Sequence, residues 1–245
     1  MDRTVRMYIK VAISVVLTVL FIVVCGCDKT QTSPPIPIRS KAPTTFQAAK
    51  VAAGKIYLGN QVTFYCGCKY SINGVIDHAS CGYKPRNPGK RSFKLEWEHV
   101  VPAQAFGKHR ACWKGCDGLN GRMCCRKIDQ QFRIMEADLM NLVPSVGEIN
   151  GDRSSRPYGE VAGEPRAYGA CDFEIDFKRD VVEPREGIRG DIARIYLHMH
   201  TTYPGGLPLS KEEVNQFGAW NAADPQDAWE LRKIEKVKAI RTGRK

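Results

Sequence analysis

Residues 95–102 read Leu95-Glu96-Trp97-Glu98-His99-Val100-Val101-Pro102. Phe93, Leu95 and Trp97 alternate with Lys94, Glu96 and Glu98, the two-residue period of a strand with one buried face. At the end of that run a carboxylate and an imidazole stand side by side. Adjacent Glu98 and His99 supply a hard oxygen ligand for a divalent cation and a base that is mostly neutral at pH 7, the ingredients for making a nucleophile from water. On a regular strand the two side chains point to opposite faces, so one site can use both only if the strand bends or ends there. An ending is expected, because Pro102 has no N–H to give to a ladder. Taken singly, His99 fits a packed histidine capping a strand better than a catalytic base, so its surroundings decide.

Downstream, residues 144–153 run Pro-Ser-Val-Gly-Glu-Ile-Asn-Gly-Asp-Arg, where Pro144 is expected to open a short helix and Gly151 to close it. A neutral amide oxygen beside a carboxylate binds Mg²⁺ without filling its shell, which makes Asn150 a candidate ligand, although Asn before Gly is also a common turn signal. Between Cys112 and Cys125, a loop with Gly115, Gly118 and Gly121 carries Arg122, the candidate for steadying a phosphate.

Around this centre the chain reads as one α+β domain from about residue 45 to 245. A helix behind a Thr45 cap buries Ala49, Ala53 and Ile56, and Val62, Phe64 and Cys66 alternate as a strand would. Ile128, Phe132, Met135 and Leu139 form one helical stripe, and Ile188, Ile192, Ile195 and Met199 another. A strand is expected over 171–177, a capping box at Ser210 and Glu213, and a last helix opened by Asp224-Pro225 with Leu231, Ile234 and Val237 inward. The tail holding Lys233, Lys236, Lys238, Arg241, Arg244 and Lys245 is expected to be solvated and frayed.

The N-terminus is an address. Arg3, Arg6 and Lys10 precede an apolar stretch over 11–24, short for a membrane span and right for an export signal. It ends Val24-Cys25-Gly26-Cys27, which resembles the box cleaved before the cysteine of bacterial lipoproteins, so residues 1–26 are expected to be removed and Cys27 lipidated. Residues 27–44, rich in Pro, Ser and Thr, are expected to form a tether. The mature chain would carry 34 Lys and Arg against 25 Asp and Glu, about +9, which suits an anionic partner such as a polyphosphate.

Eight cysteines remain: Cys66, Cys68, Cys81, Cys112, Cys116, Cys124, Cys125 and Cys171. In an oxidising compartment an even number reads as disulfides, expected to join Cys112 with Cys125 and Cys116 with Cys124, the other four pairing among themselves. A zinc site is disfavoured, because Cys66-Gly67-Cys68 is one residue shorter than the usual ligand spacing.

Together the segments FYCGC (64–68), CGY (81–83), EWEHVVPAQAFG (96–107), RACW (110–113), DQQFRIMEADLMNLVPSVGEINGDRS (129–154), YGAC (168–171) and GDIARIYLHM (190–199) resemble the endonuclease I family of periplasmic and secreted bacterial nucleases. The resemblance implies a single disulfide-braced domain with a ββα-metal (His-Me finger) core and additional helices. It implies a Mg²⁺-dependent endonuclease, with Mn²⁺ an alternative, of low sequence specificity on DNA and RNA, leaving 5′-phosphates. His99 matches the general base, Glu98 and Asn150 the metal ligands, and Arg122 the arginine that stabilises the cleaved phosphate. A monomer is expected, held by its lipid on the periplasmic side of the membrane, or else secreted. Two departures stand out: the Cys112–Cys125 loop is longer than the family pattern, and Leu231 stands where the family commonly has a cysteine after Trp-Glu. The competing expectation is a noncatalytic, envelope-anchored DNA receptor, which shares the charge and the anchor but gives no reason for Glu98, His99, Asn150 and Arg122 to occur together.

Overall fold

The computed structural model describes residues 41–163 and 166–244, which belong to a compact unit spanning Ser40–Lys245. The expected export signal, Cys27 and most of the expected tether lie outside the described residues. Helix α1 (Phe46–Tyr57) starts where the Thr45 side chain accepts from Ala48 N, and it buries Ala49, Ala53, Ile56 and Tyr57. The alternation over 62–66 does not make a strand: Val62 forms only an isolated bridge to Lys69. Gly67, with a φ of 70°, turns the chain back, and Thr63 Oγ1 satisfies the Cys68 amide at 2.9 Å.

Strand β1 (Leu95–His99) pairs antiparallel with β2 (Leu142–Val146), from Leu95 opposite Val146 to His99 opposite Leu142. Pro144 therefore lies inside a strand, opposite Trp97, rather than opening a helix. A two-stranded sheet has only edges, where one missing donor is tolerated, and the Pro144 carbonyl takes the Phe64 N–H at 2.8 Å. Between the strands run α2 (Ala103–Gly107), α3 (Gly121–Ile128) and α4 (Gln130–Glu136). The stripe read across 128–139 is broken, because Asp129 caps α4 through Phe132 N at 2.8 Å and Ile128 is left exposed at the end of α3. Helix α5 (Gly147–Arg153) follows β2 directly and passes through Gly151 instead of stopping there.

Strands β3 (Phe173–Asp176) and β4 (Val181–Pro184) form a second antiparallel pair. Helix α6 (Arg189–Thr202) follows Ile188, and that residue with Ile192, Ile195 and Met199 is buried as their spacing requires. Helix α7 (Lys211–Ala223) opens with the Ser210–Glu213 capping box. Helix α8 (Ala228–Thr242) starts later than expected: Asp227 forms its capping box with Glu230, while the Asp224 carboxylate takes the Gly190 amide at 2.9 Å. Nor is the tail frayed. Lys233 is buried with Nζ on the Met140 carbonyl, Lys236 reaches the Ile56 carbonyl, and Leu231, expected inward, is exposed.

Four disulfides brace this mixed architecture: Cys66–Cys171, Cys68–Cys81, Cys112–Cys125 and Cys116–Cys124. The two pairings expected in the 112–125 segment are present, and the other four cysteines pair among themselves, so none of the eight is free to ligate zinc. A main core gathers around Phe106, Phe132, Ile149 and Phe173, and a second one joins α1 and α8 over Leu139 and Leu142.

Candidate active site

The end of β1 is built by two buried side chains from elsewhere in the chain. Past His99 the strand ladder is taken over by Asn141: its backbone carbonyl accepts from Val100 N at 3.1 Å, Oδ1 accepts from Val101 N at 2.7 Å, and Nδ2 donates to the Val101 carbonyl at 3.0 Å. Arg153, wholly buried, donates to the carbonyls of His99 at 3.0 Å and Val100 at 2.7 Å, and to Glu98 Oε1 at 3.1 Å. This pins the chain where regular pleating stops. Glu98 and His99 accordingly line the same cleft, of about 960 Å³, together with Asn150 and Arg122.

The environment of His99 fixes its tautomer. Nε2 lies 2.7 Å from the Glu136 carbonyl, which can only accept, so Nε2 carries the proton and Nδ1 keeps its lone pair. The Phe46 ring packs on the imidazole at 4.8 Å between centroids. Burial first, and then the Arg122 charge, lower the His99 pKa to about 4, so Nδ1 is an unprotonated acceptor at neutral pH.

Arg122 lies in the first turn of helix α3, not in a loop. Its Nε donates to Glu136 Oε1, and its Nη2 approaches His99 Nδ1 at 3.4 Å. Arg126, one turn along, donates to both Glu136 oxygens at 2.8 Å. Burial alone would raise the Glu136 carboxyl, but these two guanidinium groups hold it below the usual range. One residue therefore orients the base through its backbone and an arginine through its side chain.

Glu98, with a carboxylate, and Asn150, with an amide, both line the cleft. The side-chain donors Tyr65 and Arg153 both reach Oε1 of Glu98, at 3.1 Å each. Burial pushes this carboxyl up to about 7 against the pull of Arg153, the state of a buried acid that a cation would favour in its ionised form. The Asn150 amide donates to Glu96 Oε2 at 2.7 Å, and Glu96 is itself clamped by Arg91 through two contacts of 2.7 Å. With Nδ2 committed to Glu96, the carbonyl oxygen is the end of Asn150 suited to a cation. Asp152 is engaged elsewhere, by Arg86 at 2.9 Å and Tyr168 at 2.7 Å. Among the described residues no three His, Cys, Asp or Glu side chains gather as a metal cluster. One carboxylate and one amide oxygen form a sparse, all-oxygen donor set, which fits Mg²⁺, a cation that keeps several waters and takes the rest of its shell from phosphate.

Glu136, Arg153, Asn141 and Glu96 were not identified as site residues from the sequence. Most of their partners are far along the chain, and the only local signal is that all four fall within the segments that carry the family resemblance.

A family model described as Endonuclease I matches residues 45–245. An extracellular deoxyribonuclease of Aeromonas hydrophila is 42% identical over 197 residues, covering 79% of this chain and 84% of that protein. A periplasmic deoxyribonuclease of the same organism is 40% identical over 205 residues, covering 82% and 84%. Endonuclease-1 of Buchnera aphidicola is 40% identical over 198 residues, covering 80% and 76%.

Proposed function

The chain belongs to the endonuclease I family, nucleases that hydrolyse phosphodiesters, and from that premise we propose a Mg²⁺-dependent, sequence-nonspecific endonuclease that cuts DNA and also RNA, leaving 5′-phosphate ends. The observation that carries this reading is the sharing of one cleft by an unprotonated His99 Nδ1, the oxygens of Glu98 and Asn150, and the Arg122 guanidinium. On this reading β1, β2 and α5 are the two strands and the helix of a ββα-metal unit, with the intervening helices as an insertion.

A water placed between Nδ1 and the scissile phosphorus gives its proton to His99 as its oxygen bonds to phosphorus. The bond from phosphorus to the 3′ oxygen breaks, the 3′ oxygen takes a proton from solvent, and the phosphate stays on the 5′ side. The Glu136 carbonyl stabilises the imidazolium through Nε2–H, and Arg122, drawn from its long contact with Nδ1 toward the anion, offsets the added charge at phosphorus. Glu98 and Asn150 would hold the Mg²⁺, which when bound supplies positive charge to the phosphate and leaving oxygens.

The relatives' names, extracellular and periplasmic, fit the export signal, and we place the mature protein in the envelope, lipidated at Cys27, or outside the cell. Residues 1–26 are then the signal, 27–44 the tether and 45–245 the nuclease domain, acting as a monomer. The family gives no support to a noncatalytic DNA receptor.

Supercoiled plasmid should be nicked and degraded with Mg²⁺ and left intact with EDTA. His99→Ala is expected to lower the rate by about 10²–10⁴-fold, the worth of a positioned base. Undiminished Mg²⁺-dependent cleavage by a folded His99→Ala protein would remove the mechanism.

A further inference from the structure

The cleft does not end at Phe46. A second groove of about 390 Å³ adjoins it, sharing Phe46, Gln47 and Lys50 with the first and continuing to Arg126, Arg133 and Glu136. Phe46 and Lys50 are one turn apart on α1, and Arg122 and Arg126 one turn apart on α3, so the Phe46 ring meets cations from both helices. Lys50 Nζ lies 5.1 Å from its centroid, the Arg122 guanidinium 5.2 Å and that of Arg126 5.4 Å. The three charges thus occupy a patch no more than roughly 11 Å across, the length of about three nucleotides at ~3.4 Å of rise per step.

The charges here are not balanced. Arg122 and Arg126 share the single carboxylate of Glu136. Arg133 donates only to the carbonyls of Arg126 and Lys127, and among the described residues neither it nor Lys50 has a carboxylate partner. Four cations against one anion leave three formal positive charges. Elsewhere on the cleft wall Arg91 is matched by its own Glu96. Contact with an aromatic face positions a cation without neutralising it, so the ring holds Lys50 and the two guanidinium groups in place while their charge stays available.

We propose that this second groove is a phosphate subsite: it takes the backbone phosphates of the nucleic-acid strand that runs out of the catalytic cleft past Phe46, with Lys50 and Arg133 as its contacts. The proposal rests on the nuclease function and deepens it. Backbone contacts of this kind hold the strand in register without consulting its bases, as a nonspecific enzyme requires.

The test uses the purified mature protein with Lys50→Gln, Lys50→Arg and Arg133→Gln variants, each assayed on a long DNA duplex over a range of NaCl concentrations and on a dinucleotide with one phosphate. Lys50→Gln and Arg133→Gln should raise KM on the duplex severalfold and reduce the slope of log(kcat/KM) against log[salt] by about 1 each. Turnover of the dinucleotide should be unchanged in Arg133→Gln, which lines the second groove alone, and Lys50→Arg should keep the wild-type slope. A wild-type salt slope and KM in Lys50→Gln and Arg133→Gln overturn the subsite, as does an equal loss on both substrates in Arg133→Gln, which would mean an effect on the catalytic cleft itself. Failure of the wild type to cut the duplex would instead overturn the nuclease function.

Discussion

Arg153 carries a full charge into the core to hold the last residues of β1. Replacing it with Met would keep most of the volume but leave Glu98 buried without its cation, the His99 carbonyl without its arginine donor and the Val100 carbonyl with only the Tyr158 hydroxyl at 3.4 Å. Breaking a buried pair by removing one partner costs about 3–5 kcal/mol, so Arg153→Met should lower the urea midpoint sharply. A midpoint near the wild-type value would show that the turn after His99 is held by Asn141 alone. Glu96 works one step further from the cleft. It carries no oxygen into the proposed cation's shell, yet it decides which end of Asn150 faces the cleft. Glu96→Ala is therefore expected to weaken Mg²⁺ binding, read by calorimetric titration, by about 10–100-fold, the usual effect of removing an orienting partner. An unchanged Kd would mean that the amide needs no such support.

Among the elements, the helices with a sustained apolar stripe were legible: α1 and α6 follow their spacing, and the cap of α7 is written in Ser210 and Glu213. Helix α3 was not legible, because its inward positions are Cys124 and Cys125, which read as disulfide partners rather than as a stripe, and the glycines before it suggested a loop. The pairing of β1 with β2 could not be read either, since Pro144 argues against a strand unless the sheet is known to have only edges. Glu98, His99 and Asn150 were readable as chemistry, but what brings them to one cleft lies in Asn141, Arg153 and Glu96, whose bonds cross 40 to 55 positions. The disulfides extend this argument to energies. In the loop-entropy model the Cys66–Cys171 bridge, closing a separation of 105, stabilises by roughly 5 kcal/mol, and Cys116–Cys124, closing 8, by roughly 2.5. The double alanine variant at 66 and 171 should thus unfold at distinctly lower urea than that at 116 and 124. The latter should lose activity before it loses its fold, because it loosens the end of α3 that carries Arg122. Equal stability losses in the two variants would show that strain or residual unfolded structure outweighs loop length.

At the scale of the whole molecule, α8 closes the chain over the second core, and Asp138 ties it there. The carboxylate, buried beneath the surface, accepts from Tyr203 at 2.7 Å and Arg241 at 3.0 Å and meets His198 Nε2 at 3.0 Å, so one acid joins the segment before β2 to α6 and α8. Burial alone would raise its pKa, but the His198 hydrogen bond, then the His198 and Arg241 charges and the Tyr203 hydroxyl, bring it down from 3.8 to about 2. A depressed folded-state value stabilises the protein above the unfolded pKa, and that contribution is lost as pH falls from about 4 toward 2. The difference corresponds to roughly 2 kcal/mol. Asp138→Asn should therefore be less stable than the wild type at pH 6 and lose less further stability on acidification, so that the two stability curves converge near pH 2. Asp129 and Glu136 are also held below their usual ranges and will contribute slope of their own, which both proteins share. The comparison thus rests on the difference between the curves: if they stay parallel from pH 5 to 2, the acid sensitivity belongs to those other carboxylates and α8 is held by the apolar contacts of Val237. If they converge, acid first releases the helix packed against α1, and because α1 carries Phe46 and Lys50 into the cleft, KM on long DNA should rise before the fold is lost.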